Sequence, residues 1–459
     1  MHNIGVTVAA VSTPPGKGGV ALIRVSGDDA FRIADAVFFP KGGKRLSDVP
    51  PRVQVYGDIY YEREPIDDGM AVRFVAPHSY TGENTVEITC HGGVRLTGLV
   101  LSSLLGAGAV MADAGEFTRR AFVNGRLTLT DAEAIGHLLD AGSLGQIRLS
   151  RAPARKKLSD ALNGVRDGLL SLMSSLYARI DYPDEDLGEL TDADMLASMR
   201  EQLASMDGLL ATYRTGHAVV EGISTVLCGK PNTGKSTLYN ALLGEEAAIV
   251  TDIAGTTRDV LEKSAAVGSV LLRLCDTAGL HDTEDPVERI GVERARARLA
   301  EAELVLAVFD GSRAPDEADL ALIDQIGALT CPRVAVLNKA DLGTVDAWLT
   351  VGASFDRTAV LSAKDGEIST LTHLIEELFL EERLLTGESA VLTDERQHGA
   401  LLHARTFLVG AIEALTLGLA ADAVSSDLQR AIGALSELVG HEVSEQLVAD
   451  IFSKFCVGK

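Results

Sequence analysis

The spacing of hydrophobic and polar residues changes along the chain, and the first stretch has the pattern of a small mixed domain. Residues 19–25 (GVALIRV) and 85–89 (TVEIT) are short runs rich in β-branched and apolar residues, which is typical of strands. Turns rich in glycine and proline separate such runs, and residues 96–105 have apolar positions at helical spacing. We therefore predict an α+β domain over residues 1–122.

The rest of the chain alternates between helical and mixed patterns. Residues 123–217 have Leu and Ala at three- and four-residue steps, with one loop at residues 180–186 because Pro183 cannot lie inside a helix. Residues 218–383 alternate β-runs with helices, at 224–228, 271–275, 304–309 and 334–337, which indicates a parallel sheet with crossover helices. Residues 384–459 are helical again. The prediction is a multidomain protein in which an α/β domain is inserted into a discontinuous all-α helical domain.

Composition limits the class of protein. The chain has 459 residues, a net charge of −23 and 46% hydrophobic residues, as expected for a globular protein with an apolar core. Strong acidity argues against a large nucleic-acid surface driven by charge. The five cysteines form no CxxC pair and are interpreted as reduced thiols, and we see neither a signal peptide nor a membrane span. We therefore expect a cytoplasmic location and no membrane partner.

The first motif with clear chemistry is a phosphate loop. Residues 229–236 (GKPNTGKS) fit GxxxxGK[ST], directly after a β-run and directly before a helix. Glycines let backbone N–H groups wrap a phosphate, and the helix N-terminus adds a favourable dipole. Lys235 would reach the β- and γ-phosphates, and the Ser236 hydroxyl would bind Mg²⁺.

Three further motifs follow in the order that a GTP-binding domain requires. Asp276 begins DTAG, in which Gly279 would sense the γ-phosphate. Asp341 ends NKAD, and its carboxylate can accept both hydrogens of the guanine N1 and N2 edge, which adenine does not offer. Ala363 in SAK would donate its amide to guanine O6. Each of these short motifs alone would be interpreted as a surface turn, but the three of them together with the phosphate loop, four motifs in order, indicate that the domain binds GTP.

The switch regions leave the catalytic group open. Residues 251–259 (TDIAGTTRD) lie where a first switch loop belongs, with Thr257 as the second Mg²⁺ ligand. Leu280 occupies the place of the water-positioning glutamine of Ras-type GTPases, and an apolar side chain cannot orient water. Arg258 or Arg289 could act as an arginine finger, although a solvated surface role explains them equally well.

At this point the chain resembles the TrmE (MnmE) family of tRNA-modification GTPases, which are potassium-dependent and Era-like. The resemblance rests on GKPNTGKS, TDIAGTTRD and DTAGL in the GTPase region. It implies that K⁺ takes the place of an arginine finger, held by Asn232, Thr251, Ile253 and Thr256, and that Glu288 positions the attacking water. The residues predicted to bind GTP are Asn232, Thr233, Gly234, Lys235, Ser236, Thr237, Thr251, Thr256, Thr257, Asp276, Gly279, Asn338, Lys339, Asp341, Ser362 and Ala363, with Glu288 and Lys235 as catalytic residues.

Segments outside the GTPase region extend the resemblance over essentially the whole chain. They are residues 10–19, 79–83, 91–93 and 115–122 and the C-terminal FCVGK. The family implies an N-terminal domain that binds 5-formyl- or 5,10-methylene-tetrahydrofolate through Arg24, Glu87, Arg126 and Lys459. It also implies a homodimer, a flavoprotein partner (MnmG, also called GidA) that carries FAD, and tRNA as the substrate, modified at C5 of the wobble uridine.

Some alternatives remain open at this stage. A GTP-gated assembly switch of the Era type would need RNA-binding surface but no folate site, and a folate enzyme with a regulatory GTPase would not modify tRNA. Cys456 is either a reactive thiolate or a plain tail thiol. The basic stretch Arg148, Arg151, Arg155, Lys156 and Lys157 either contacts phosphate or is a solvated helical face.

Overall fold

The computed structural model describes residues 5–181, 191–244, 263–276, 299–381, 384, 386, 389–441 and 443–458. The chain divides into two compact units. Unit 1 comprises Met1–Gly136 and Ser436–Lys459, so both ends of the chain belong to it, and unit 2 comprises His137–Leu435.

The helices and strands are numbered in chain order. The strands are β1 (Val8–Val11), β2 (Val20–Ser26), β3 (Phe38–Pro40), β4 (Val55–Tyr61), β5 (Glu64–Phe74), β6 (Thr85–His91), β7 (Val110–Met111), β8 (Ile223–Cys228), β9 (Lys263–Val267), β10 (Val270–Asp276), β11 (Leu304–Asp310), β12 (Arg333–Asn338) and β13 (Arg357–Val360). The α-helices are α1 (Ala30–Asp35), α2 (Val94–Gly106), α3 (Glu116–Val123), α4 (Leu129–Leu139), α5 (Leu144–Ser150), α6 (Ala152–Asp181), α7 (Asp192–Val220), α8 (Lys235–Leu243), α9 (Glu317–Gly327), α10 (Ala347–Gly352), α11 (Ser369–Phe379), α12 (Glu395–Thr416), α13 (Ala421–Val439) and α14 (Glu445–Ser453).

Unit 1 is built on a sheet in the order β3-β4-β5-β6-β2-β1-β7, antiparallel except where β1 pairs with β7. The predicted strands at 19–25 and 85–89 are confirmed as β2 and β6. Successive side chains of a strand point to opposite faces. Ile23 and Ile88 are therefore buried in the core that α2 also lines, whereas Arg24 and Glu87 pair in register on the other face.

The C-terminal residues complete unit 1. Helix α14 packs against α3, and Val457 forms an antiparallel bridge with Ala114. Gly115 adopts the left-handed conformation at φ 65°, and a Cβ there would lie 2.6 Å from the Phe452 carbonyl oxygen. A glycine is therefore required where the two segments touch.

Unit 2 contains a six-stranded sheet in the order β13-β12-β11-β8-β10-β9. All neighbours are parallel except β9 and β10, which form a hairpin. Strand β11 is buried along six of its seven residues, because helices cover both faces of a parallel sheet. The predicted strands at 224–228, 271–275, 304–309 and 334–337 are confirmed as β8, β10, β11 and β12. The short strand β9, which directly precedes β10, is one that the sequence pattern does not predict.

Helices from two distant chain segments also pack within unit 2. Helix α12 lies along α7, and the Leu392 amide donates to Thr212 Oγ1 over 3.0 Å. Helix α7 leads directly into β8, and Thr215 Oγ1 donates to the Phe379 carbonyl over 3.0 Å. The basic stretch is divided by a break at Arg151, with α5 before it and α6 after it. Within the described parts of the chain, every helix is too short or too polar to cross a membrane.

Candidate nucleotide-binding site and a polar site in unit 1

The order of the strands in unit 2 fixes where a ligand can bind. Strand β8 lies between β11 and β10, so the connections run in opposite directions on its two sides. In open α/β sheets, such a reversal opens a crevice at the carboxyl ends of the strands. The phosphate loop follows β8, Asp276 ends β10, Asn338 ends β12 and Ser362 follows β13. Motifs that are far apart in sequence therefore meet at one edge of the sheet.

The phosphate loop has the strained backbone that its sequence predicts. Asn232 and Gly234 have φ values of 63° and 95°, and a Cβ on Gly229 would clash with the Val308 carbonyl. Lys235 Nζ donates to the carbonyl oxygens of Gly229 (2.8 Å) and Lys230 (2.7 Å), so the ammonium is held inside the loop.

The exposure of the loop side chains divides them into two groups. Asn232, Ser236 and Thr237 are all exposed, as ligands of a phosphate or a metal ion must be. Thr233 is buried instead, and its hydroxyl donates to the Lys230 carbonyl over 2.9 Å. The Thr233 side chain therefore stabilises the loop, and its backbone amide is the group left for a phosphate.

The loops of the predicted guanine pocket are joined to the phosphate loop through Asn338. Its Nδ2 donates to the Thr233 carbonyl over 2.9 Å, and its Oδ1 accepts the Ala363 amide over 2.9 Å. Asn338 is only 3% exposed, so its principal visible role is to hold the two loops in register. Asp341 is exposed at the end of this motif and accepts Ser362 Oγ over 3.2 Å.

Sequence reasoning missed the acidic residue beneath this site. Lys339 donates to Asp310 at the end of β11 over 2.7 Å, so this lysine is partly engaged by the protein itself. Burial raises the pKa of Asp310, but hydrogen bonds from Lys339 and Ser312 outweigh it and leave the pKa below its ordinary value. In the sequence, Asp310 comes directly after the apolar residues of β11, and this position at the end of a strand could have indicated it. It belongs to none of the nucleotide-binding motifs.

Several predicted ligands lie outside the described residues. They are Thr251, Ile253, Thr256 and Thr257 of the first switch, and Gly279 and Glu288 of the second. The alternative residues Arg258, Leu280 and Arg289 also lie there, as does Lys459 at the C-terminus. For Asp276, the backbone is described but the side chain is not.

In unit 1 the structure brings Arg24 and Glu87 together on the sheet face opposite the core. Arg24 donates from Nε (2.9 Å) and Nη2 (2.7 Å) to Glu87 Oε1. The guanidinium lies 5.4 Å from the ring centres of both Tyr80 and Phe117, within cation–π range. Among the described residues, Glu87 Oε2 and Arg24 Nη1 make no hydrogen bond, so the pair keeps an acceptor oxygen and the two N–H donors of Nη1.

The other two residues of the predicted folate site are Arg126, which the structure describes, and Lys459, which lies outside the described residues. Gly458 lies against the end of β1, where a Cβ would be 2.8 Å from Ser12 Cα, and Ser12 Oγ is buried without a partner among the described residues. Arg126 is exposed next to Gly82, and among the described residues it forms no ion pair with Glu87. The structure therefore joins two of the four predicted residues.

The other unit 1 motifs form a buried ionic network. Arg120 is 4% exposed and donates to Glu116 Oε1 (2.9 Å), Glu83 Oε2 (2.8 Å) and the Val6 carbonyl (2.8 Å). Ser26 Oγ donates to the same Glu83 oxygen over 2.7 Å. Glu83, Glu116 and Arg120 belong to segments that sequence analysis identified as a family pattern, and the structure gives them a role in holding unit 1 together.

The cysteines whose side chains are described are all free thiols. Burial raises the pKa of Cys228 to about 12 and that of Cys90 to about 11, so both stay protonated at neutral pH. Cys456 is exposed, and its carbonyl accepts the Gly115 amide over 3.4 Å. Among the described thiols, Cys331 is partly buried and Cys456 is the most exposed.

The fold and the loops define the class of protein. A parallel sheet with one antiparallel edge strand, a GxxxxGKS loop after its central strand, and DTAG, NKAD and SAK at the ends of β10, β12 and β13 are the features of a P-loop GTP-binding domain. Comparison with known proteins then narrows the class. The protein-family model described as "MnmE helical domain" matches residues 129–456 of the chain. The protein-family model described as "GTP-binding protein TrmE N-terminus" matches residues 7–126.

Two relatives that are similar along their whole length agree with these matches. The chain is 38% identical to the tRNA modification GTPase MnmE of Lactobacillus johnsonii and 39% identical to that of Lactobacillus delbrueckii subsp. bulgaricus; each alignment covers 99% of this chain and 98% of the relative. A solved structure of a variant of Aquifex aeolicus Era bound to GDP.AlF4- is 25% identical over 40% of this chain and 66% of that chain, with a TM-score of 0.29. The chain belongs to the MnmE family of tRNA modification GTPases, and it is a GTP hydrolase with a TrmE N-terminal domain and an MnmE helical domain.

Proposed function

We propose that this GTPase acts with the flavoprotein MnmG to modify C5 of the tRNA wobble uridine. The product would be carboxymethylaminomethyl- or aminomethyluridine, with the added carbon taken from tetrahydrofolate. The proposal rests on similarity along the whole chain to relatives that are named tRNA modification GTPases. The polar site around Arg24, in a domain separate from the nucleotide site, supports a second ligand.

The residues of the phosphate loop have separate roles in the proposed mechanism of GTP hydrolysis. Lys235 is held inside the loop by two backbone carbonyls, where it would stabilise the charge that develops on the β- and γ-phosphates. Ser236 lies in the first turn of α8, and with Thr257 it would hold Mg²⁺, which neutralises phosphate charge when bound. Glu288 would orient the attacking water.

Asn232 has the properties expected of a ligand for a monovalent cation. The side chain is exposed, the backbone adopts a positive φ, and an amide oxygen is a suitable ligand for a hard cation. Asn232, Thr251, Ile253 and Thr256 would hold K⁺, which supplies the positive charge that an arginine finger supplies elsewhere. In this family, cation binding is expected to bring the GTPase domains of a homodimer face to face.

The polar site in unit 1 fits a reduced folate. A pterin edge offers adjacent N–H donors and a carbonyl acceptor, which match the unused Glu87 Oε2 and Arg24 Nη1. The flat ring system could pack against Tyr80, whose partly exposed ring lies beside the guanidinium, whereas Phe117 is fully buried. Arg126 and Lys459 would pair with the carboxylates of 5-formyl- or 5,10-methylene-tetrahydrofolate.

Charge explains why a partner is needed for tRNA. With a net charge of −23, the chain gains little from the counterion release that dominates nucleic-acid affinity. MnmG would therefore supply most of the tRNA surface together with FAD. The basic residues Arg148, Arg151, Arg155, Lys156 and Lys157 are too few to outweigh this acidity.

Reconstitution tests the proposed function. The purified full chain, purified MnmG, undermodified tRNA, GTP, 5,10-methylene-tetrahydrofolate and glycine or ammonium should yield modified wobble uridine, detected by nucleoside mass spectrometry. Leaving out MnmG, folate or GTP should each abolish the product. If the complete mixture gave no modified nucleoside while GTP was hydrolysed normally, a GTP-gated assembly switch would become the better interpretation.

Potassium dependence is a separate prediction. GTP hydrolysis should be faster in KCl than in NaCl at equal ionic strength, by roughly 10²-fold, the scale of removing one charge-stabilising group from a transition state. Asn232→Ala should lower the rate in KCl to the rate in NaCl. The exposed surface change Thr344→Ala is the control and should leave the K⁺ effect intact. Equal rates in both salts for the unmodified chain would rule out the K⁺ site.

Folate binding should depend on the Glu87 carboxylate. In Glu87→Gln, the pterin N–H groups would donate to a neutral amide instead of a charged carboxylate. A hydrogen bond to a charged group is worth about 1.5–3 kcal/mol, so the Kd for 5-formyl-tetrahydrofolate should rise roughly 10- to 100-fold in calorimetric titration. Glu64→Gln changes an exposed carboxylate of β5 and should leave the Kd unchanged. An unchanged Kd in Glu87→Gln would place the folate elsewhere or nowhere in unit 1.

A further inference from the structure

Lys230 is the second residue of the phosphate loop, and its side chain pairs with acidic residues of a neighbouring helix. Its Nζ donates to Asp316 Oδ2 and, over 2.8 Å, to Asp319 Oδ2. Both acids lie at the start of α9, where Asp316 caps the helix N-terminus. The Lys230 side chain is 13% exposed and that of Asp319 is 2% exposed, so solvent screens the Lys230–Asp319 pair weakly.

Asp319 makes the pairing energetically important. The residue is 1% exposed, and its Oδ1 is buried without a hydrogen-bond partner among the described residues. Its Oδ2 also accepts the Asp316 amide over 3.1 Å. A buried carboxylate with one unsatisfied oxygen depends on its cation, because an uncompensated buried charge is strongly unfavourable. Lys230 supplies that cation.

The backbone of the same lysine holds the phosphate-binding residue. The Lys230 carbonyl accepts both Lys235 Nζ (2.7 Å) and Thr233 Oγ1 (2.9 Å), and the adjacent Gly229 carbonyl also accepts Lys235 Nζ (2.8 Å). The orientation of these two carbonyls therefore contributes to where the Lys235 ammonium lies. The side chain of Lys230 anchors the peptide that carries one of them.

The acidic residues that pair with Lys230 are also connected, through ion pairs, to the loop that is predicted to bind guanine. Arg313 contacts Asp316 (3.5 Å) and Asp310 (3.7 Å), and Asp310 pairs with Lys339 of the NKAD motif. Charges of alternating sign thus run from the phosphate loop to the guanine loop along the start of α9.

We propose that Lys230 is a positioning residue for GTP hydrolysis, anchored by Asp316 and Asp319 so that its carbonyl sets the place of the Lys235 ammonium. Lys230 does not touch the nucleotide; it acts through Lys235. Losing the anchor lets the peptide between residues 229 and 231 rotate, and the ammonium then spends less time where the β- and γ-phosphates bind.

The test separates positioning from simple destabilisation. Lys230→Met leaves Asp319 charged and unpaired, whereas Lys230→Met combined with Asp319→Asn removes both charges and preserves the shape of the pair. Lys230→Arg restores a cation at the same place. Lys263→Met, an exposed lysine of β9 in the same unit, is the matched control. Each full-length protein is measured for the Kd of a fluorescent GTP analogue, for kcat at saturating GTP and for the midpoint of thermal unfolding.

The expected result is that Lys230→Met and the double variant both bind GTP about tenfold more weakly, the equivalent of one lost charge-assisted hydrogen bond, and also have lower kcat. The double variant should recover most of the thermal midpoint without recovering GTP affinity, and Lys230→Arg should recover both. If GTP affinity returned together with the thermal midpoint in the double variant, or if Lys230→Met bound GTP within twofold of the unmodified chain, the positioning role would be refuted. Should Lys230→Met fail to fold, the double variant decides the question alone.

Discussion

Replacing Asp341 with Asn should change the nucleotide preference of this GTPase from GTP to XTP. In our interpretation of the NKAD motif, the Asp341 carboxylate accepts the N1 and N2 hydrogens of guanine. An asparagine amide offers one acceptor and one donor, so its NH₂ would face a guanine donor. Xanthine has an oxygen in place of the N2 amine and therefore complements the amide. Two charge-assisted hydrogen bonds are worth about 3–6 kcal/mol, so the Kd for GTP should rise roughly 10²- to 10⁴-fold.

The structure makes this substitution a clean one. Asp341 is exposed, and the contact recorded for its side chain is the 3.2 Å hydrogen bond from Ser362 Oγ, which an asparagine oxygen can also accept. Competition binding with GTP, ATP and XTP measures the effect. Asp346→Asn, an exposed change a few residues along the chain, should leave all three affinities unchanged. If Asp341→Asn kept the original GTP affinity, guanine would have to be recognised by another group.

Replacing Arg120 with Met should cost unit 1 about 3–5 kcal/mol of unfolding free energy, because one partner of a buried ion pair is lost. Arg120 is 4% exposed and neutralises Glu116, which is 1% exposed, together with Glu83. It also donates to the Val6 carbonyl. Without it, two carboxylates remain near each other in a poorly solvated place, although Arg119 still pairs with Glu116.

The unfolding free energy has to be measured for unit 1 alone. Trp348, the single tryptophan, lies in unit 2, so its fluorescence reports on the wrong part of the chain. Hydrogen exchange of the β2 and α3 amides under native conditions gives the free energy of opening locally. Arg32→Met is the control, because the Arg32–Asp29 pair is exposed and should contribute little. A change below about 1 kcal/mol in Arg120→Met would mean that the carboxylates find other partners or protons.

Local patterns were sufficient for much of the fold. The alternating run around Arg24 and the continuous apolar runs of β8, β11 and β12 were identified as strands because the period of buried positions is visible over a few residues. Strand β9 was missed: in KSAAV the polar and small residues give little contrast, and its place as an edge strand is set by pairing with β10.

Short sequence motifs were enough to identify the nucleotide chemistry. GxxxxGKS, DTAG, NKAD and SAK are local arrangements whose backbone geometry is dictated by glycine, by small residues and by strand ends, so each can be recognised without knowing its neighbours. Arg24 and Glu87 were grouped by the family resemblance, and the register between β2 and β6 in the structure places them side by side.

Contacts between distant residues, by contrast, required the folded chain. Lys230 meets Asp316 and Asp319 across 86 and 89 positions of the chain, and Arg120 meets the Val6 carbonyl across 114. Nothing in the local sequence marks these partners, because an ion pair depends on three-dimensional proximity and burial, and neither is periodic. The same reason explains why Gly458 lies against β1 and why both chain ends build one unit. Sequence motifs identify the groups that act, and long-range packing sets the charges and carbonyls that hold those groups in place.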